Sequence, residues 1–129
     1  MTWFSAHIII YVRYKEGIQD MIPIWENIHL IESESVDEAY KKAEDIGKKS
    51  EGDSDGTFMW GNIPSIMVFG GIRKLIECQS SSEELIANPF NSNRPTDGSE
   101  LSYSQFFVKD EATLNKLIQG ESTEVIYSE

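Results

Sequence analysis

Residues 3–14 run from Trp3 to Tyr14 and are dominated by β-branched and aromatic side chains. Such side chains are stiff about χ1 and pack well on a pleated surface, so this stretch predicts a long strand and commits the chain to a sheet. Residues 15–22 hold Gly17 and Asp20 and predict a turn, after which Pro23 opens a second strand over 24–33. Two strands separated by so short a connection pair as an antiparallel hairpin.

Ser35-Val36-Asp37-Glu38 is a capping box. The Ser35 hydroxyl can accept from the Glu38 amide, and the Glu38 side chain can reach back to the cap. Val36, Ala39, Tyr40, Ala43 and Ile46 follow at helical spacing, with Asp37 and Glu38 at the positive end of the helix dipole and Lys48 and Lys49 at the negative end. The helix ends either at Gly47 as its cap or near residue 50. Residues 51–56 form an acidic turn, 57–60 a short strand interrupted by Gly61 to Pro64, and 66–77 a third long strand in which Gly70-Gly71 predicts a bulge or a close backbone approach. Residues 79–99 are rich in Ser, Asn, Pro and Gly and predict a surface loop, with one helical turn over 83–87. Residues 100–108 predict a fourth long strand. Asp110 then caps a short helix that turns Ala112, Leu114, Leu117 and Ile118 inward and stops at Gly120, and 123–127 adds a last strand.

The order is β, β, α, β, β, α, β. Without the first strand it is βαββαβ, so the expected fold is α+β, an antiparallel sheet with two helices on one face, ferredoxin-like with an extra N-terminal strand. A simpler α+β meander is the alternative. The 129 residues suit a single domain, 1–129, large enough to bury a core without staples.

Charge and cysteine content exclude several classes. With 11 Lys+Arg against 22 Asp+Glu the formal net charge is −11. That argues against a nucleic-acid binder, whose affinity rests on cations neutralising phosphates, and against docking on anionic lipid. The 40% hydrophobic content is too high for a disordered acidic tail. Cys78 is the one cysteine, so there is no internal disulfide and no Cys-rich zinc site, which suits a reducing cytoplasm. The N-terminus lacks a basic leader region, and the apolar run over 8–12 is far too short to span a bilayer, so a soluble, unexported, cytoplasmic protein is expected.

If the first hairpin pairs so that residue numbers sum to 36, Phe4, Ala6, Ile8, Ile10 and Val12 share a mostly apolar face suited to the capped helix. The opposite face then gathers Trp3, His7, Tyr11, Trp25 and His29, an aromatic, amphipathic surface that a ferredoxin-like sheet leaves open. Surfaces of this kind mark interfaces or ligand grooves, and these five residues are the candidate binding set. The same register sets the only two histidines side by side, the beginning of a metal site with no further His or Cys nearby in sequence, for which Cys78 is a third ligand only if its strand lies adjacent. Two half-buried polar residues in a sheet are the better account, so no metal and no cofactor is expected.

Residues 51–56 partly match a calcium loop, but the twelfth position is Asn62 and a strand follows, so a solvated acidic turn explains them better. No nucleophile elbow, phosphate loop or dinucleotide fingerprint occurs. Cys78 has no evident stabilising cation, which favours an inert thiol over a nucleophile. No catalytic residue is assigned, and the balance leans away from an enzyme.

Trp3-Phe4-Ser5-Ala6, Glu26-Asn27-Ile28, Ile31-Glu32, Glu38-Ala39, Phe69-Gly70-Gly71-Ile72 and residues 100–107 together resemble a small bacterial family catalogued only as a domain of unknown function. Gln105 departs from that pattern, standing where a basic residue is expected. The resemblance implies a short stand-alone bacterial protein and no activity. The expected function is that of a non-enzymatic interaction protein, of the inhibitor or immunity type, which meets a basic protein partner through its aromatic sheet face and acidic surface. The alternatives are a small-molecule-binding module with its pocket on the open face, and a homodimer joined through that face.

Overall fold

The computed structural model describes residues 2–78 and 97–127. The elements are β1 (Thr2–Tyr14), β2 (Ile22–Ser33), α1 (Val36–Lys49), β3 (Met59–Trp60), β4 (Ile63–Glu77), β5 (Glu100–Val108), α2 (Glu111–Ile118) and β6 (Ile126–Tyr127). The fold is α+β, with an antiparallel sheet and two helices. The helical turn expected at 83–87, and most of the loop expected over 79–99, lie outside the described residues.

The strand order is β3-β4-β1-β2-β5-β6. The β1–β2 hairpin is central, and each neighbouring pair is antiparallel. This order differs from the expected ferredoxin-like one, and so does the placing of the helices. Phe4, Ala6, Ile8 and Ile10 of β1 pack with Ile31, Ala39 and Ala43 in a core beneath α1. Ile9 and Tyr11 pack with Ile22, Ile24, Phe106, Val108, Leu114 and Leu117 in a second core beneath α2. Successive strand side chains point to opposite faces, so the helices lie on opposite faces of one sheet. The apolar run over 8–12 is buried on both sides, as strands covered twice must be.

Both helices start at the expected caps, but the reciprocal half of the α1 capping box does not form, because the Ser35 amide donates to Ser33 Oγ at 3.4 Å and not to the Glu38 side chain. The Ser35 hydroxyl accepts from the Glu38 amide at 3.1 Å, and the Asp110 carboxylate accepts from the Thr113 amide at 2.8 Å. α1 runs past Gly47 to Lys49, with Ser50 as its cap. Gly47 instead permits close packing, because a Cβ there would collide with the Phe69 ring of β4. α2 ends in a Schellman turn: Gly120, at φ 82°, donates to the Leu117 carbonyl and Glu121 to the Lys116 carbonyl. Val36, Tyr40 and Ala112, expected to face inward, are exposed.

β4 is bulged twice against β1. Ile10 and Ile9 pair with Phe69 and Gly71, and Ile8 and His7 with Ile72 and Lys74, so Gly70 and Arg73 are the extra residues. Each bulge shifts the alternation by one residue, and this carries Met67, Phe69, Ile72 and Leu75 all to the α1 core. Gly70, where a bulge or close approach was expected, is both: an added Cβ would lie 3.1 Å from Ile118 of α2 and 3.2 Å from Ile9.

Candidate functional site

In the β1–β2 hairpin Thr2 pairs with Ser33 and Tyr11 with Ile24, so paired numbers sum to 35 and not to the expected 36. That one-residue slip moves every β2 side chain to the other face. His7 is opposite Ile28, and His29 is opposite Ala6. The histidines therefore lie on opposite faces and cannot share an ion. Of the candidate binding residues, Trp3, His7 and Tyr11 belong to the α2 face, and Trp25 and His29 to the α1 face.

The two faces use these residues differently. Trp3 and Tyr11 are 4% and 7% exposed. The Trp3 indole N–H is buried without an acceptor among the described residues. The Tyr11 hydroxyl accepts from Arg13 Nη2 at 2.7 Å, and the same guanidinium lies 5.4 Å from the centre of the Tyr11 ring. His7 Nδ1 donates to Glu26 Oε2 at 2.6 Å, and the other oxygen of Glu26 lies 3.9 Å from Arg73 Nε. Arg73, the β4 bulge residue, also donates to the Leu117 and Glu121 carbonyls at the end of α2. The chain His7–Glu26–Arg73 therefore ties the sheet to the negative end of the α2 dipole. It has the residue types of an acid–base site, but the positions of its partners account for it as a clasp.

On the α1 face, His29 Nδ1 donates to the Gly98 carbonyl at 2.9 Å. Trp25 meets Trp60 edge to face, with ring centroids 5.6 Å apart and planes at 83°. α1 packs on β1, β2 and β4, while α2 packs on β4 and β5 from the other side. The α1 side of β5 is thus left open among the described residues. Tyr103 is 63% exposed, Leu101 at the β5 bulge is 55% exposed, and Gln105, opposite Trp25, and Phe107 are half-buried. Trp25, His29 and Tyr103 border one uncovered strip. The five-residue set did not include Tyr103, although the alternation of Tyr103, Gln105 and Phe107 was its available signal.

Other candidate chemistry is spoken for. Burial first, and the Glu77 charge second, push the Cys78 thiol up, away from the reactive thiolate. In the acidic turn the Asp53 carboxylate takes the Lys15 ammonium and the Gly56 amide, which hold it below the ordinary carboxylate value. Among the described residues no group of three His, Cys, Asp or Glu side chains could hold a metal ion. A cleft of about 350 Å³ lies between α2 and the segment leading to β6, lined in part by Lys109, Thr113, Lys116 and Val125. Another, of about 260 Å³, lies beside α1 between Lys42, Ile46 and Gly98. None of the five candidate residues lines either cleft. No described helix is long and apolar enough to cross a membrane.

Residues 3–85 match a family described as a domain of unknown function, DUF4288. The match spans the strip's β2 residues but not residues 100–107, where part of the sequence resemblance lay. No curated protein and no solved structure matches the chain significantly.

Proposed function

Since the chain belongs to the DUF4288 family, whose description assigns no activity, we propose from its own surface that it is a non-enzymatic interaction protein for a basic protein partner. The observation that carries this reading is the strip beside α1, open among the described residues, where Trp25, Tyr103 and Leu101 present aromatic and apolar surface that α1 and α2 do not use. The net charge of −11 supports a cationic partner, drawn in by long-range attraction and held by the apolar strip.

The sheet edges support contact through a face over contact by strand addition. β4 is bulged at Gly70 and Arg73, and the Phe69 amide is taken by the Glu51 carboxylate at 3.1 Å. β5 is bulged at Leu101 and is covered by β6 at Phe106 and Phe107. Bulged edges of this kind resist pairing with another strand. An inhibitor or immunity role in a bacterial cytoplasm is the specific form we propose, and a toxin gene beside this one would support it.

The test is capture of partners on immobilised protein, with Tyr103→Ser and Leu101→Ser as the comparison. Both residues are exposed, so the variants keep their fold, which circular dichroism checks. A partner of basic isoelectric point that is retained by the parent, lost by the variant and eluted by salt is the expected result. An identical set of proteins on both would remove the proposal.

A further inference from the structure

A second exposed apolar surface lies at the end of the sheet where β1 passes into β2, adjoining the strip at the Trp25–Trp60 contact. The β1–β2 turn over 15–21 and the connection over 50–62 meet there. Lys15 donates its amide to the Pro64 carbonyl at 2.9 Å, and its ammonium pairs with Asp53. Met59 pairs with Pro64, and Ser65 donates to the Phe58 carbonyl at 3.0 Å. The two turns therefore form one end wall. Three large apolar side chains stand out from it: Ile18 at 87% exposed, Met59 at 50% and Met21 at 37%.

The charge of this wall is one-sided. Over 13–21 and 51–60 there are five acids, Glu16, Asp20, Glu51, Asp53 and Asp55, against two bases, Arg13 and Lys15. Both bases are engaged, Arg13 on Tyr11 and Lys15 on Asp53. Glu16, Asp20 and Asp55 are exposed and have no cationic side-chain partner among the described residues. Two of the three apolar residues are methionines, whose flexible, polarizable side chains adapt to the shape of what they meet.

We propose that this end wall docks a basic amphipathic helix, the apolar face of that helix on Ile18, Met21 and Met59 and its Lys and Arg residues toward Glu16, Asp20 and Asp55. The inference rests on the interaction reading above and assigns it a second contact and a partner chemistry. A second copy of the chain is disfavoured because it would set the same acids against each other, and an anionic lipid surface because it is repelled.

The probe is a synthetic leucine–lysine peptide of about 14 residues, roughly four helical turns, with leucines at helical spacing, and a scrambled peptide of equal composition as its control. Binding is followed by amide shifts in heteronuclear spectra. The patterned peptide is expected to shift amides over 15–21 and 57–60, and to bind at least about tenfold more weakly to Ile18→Ser, Met59→Ser protein. Ile76→Ser protein, changed at an exposed apolar residue at the far end of β4, should bind it as the parent does. Equal binding of patterned and scrambled peptides, or undiminished binding to the Ile18, Met59 variant, overturns the docking proposal. If partner capture still depends on Tyr103 in that event, the interaction reading stands and only the end wall is wrong.

Discussion

At the scale of single residues, two backbone positions decide more than their side chains suggest. Gly47 sits within α1, where an Ala would ordinarily stabilise the helix by roughly 0.8–1 kcal/mol. Here the added methyl would enter the space of the Phe69 ring, a bulky neighbour wedged between α1 and β4. Overpacking of this kind costs about 1–3 kcal/mol, so Gly47→Ala should be net destabilising by urea denaturation. Phe69→Val in the same chain should recover part of the loss, because the clash and its relief share one contact. Absence of that coupling would mean that the helix shifts instead. Ser54 and Asp55 form the opposite case. Both have positive φ, 53° and 57°, in a turn closed by the Gly56 amide on the Asp53 carbonyl. A left-handed conformation costs a residue with a Cβ but not glycine. Asp55→Gly should therefore raise stability by about 0.5–1 kcal/mol and leave the Lys15–Asp53 pair in place.

At the scale of elements, the segment entering β5 is held by one carboxylate. Asp97 accepts the Glu32 amide at 2.7 Å and the Lys42 ammonium at 2.9 Å, and the Lys42 ammonium also donates to the Glu32 carbonyl. Gly98 and Ser99 then exchange backbone bonds with Leu30. Burial alone would raise the Asp97 carboxyl, but the Glu32 amide and Lys42 outweigh it and hold it low. The hydrogen bond that Lys42 donates to Asp97 chiefly raises Lys42. Asp97→Asn should keep the Glu32 contact and lose the ion pair. Faster hydrogen exchange at the Gly98 and Leu30 amides is the expected readout, with exchange at Ala39 and Ala43 in α1 unchanged. Elements like these were legible because their signals are local: the Ser35 cap, the Asp110 and Gly120 ends of α2, the β5 stretch over 100–108 and the Gly70 bulge each lie within a few residues. The hairpin register was not. Its seven-residue turn, 15–21, fixes no register as a two-residue turn would. Both faces of β1 are apolar, so alternation could not choose between the two settings. Residues 8–12 did carry the missing fact, since a continuous apolar run is the mark of a strand covered on both sides, and that alone places the helices on opposite faces. The candidate set divided for the same reason, and its Trp3 and Tyr11 went to the core.

At the scale of the whole molecule, the charge of −11 opposes folding as well as attracting a partner, because compaction brings like charges together. Lowering the pH from neutrality toward the sequence pI of 4.5 reduces that repulsion and should raise stability. A second effect of opposite sign then takes over. Asp53 is held low chiefly by Lys15, Asp110 by the Thr113 hydroxyl and amide, and Asp97 as described. A carboxyl whose folded pKa lies below its unfolded value contributes stability that is present above the unfolded value, about 3.9, and is lost as pH falls through the folded one. Stability measured as the urea midpoint should therefore rise from pH 7, peak near about pH 5 and fall below about pH 4. The two limbs separate with salt. At about 0.3 M NaCl the screening length is only several ångströms, so the rise between neutrality and the peak should flatten. The acid limb should persist, because its ion pairs and hydrogen bonds are short-ranged. Asp97→Asn should make that limb shallower without moving the neutral one. A midpoint that keeps climbing below about pH 4 would show that these three carboxylates do not govern the acid limb, and a neutral limb indifferent to salt that net charge does not govern the other.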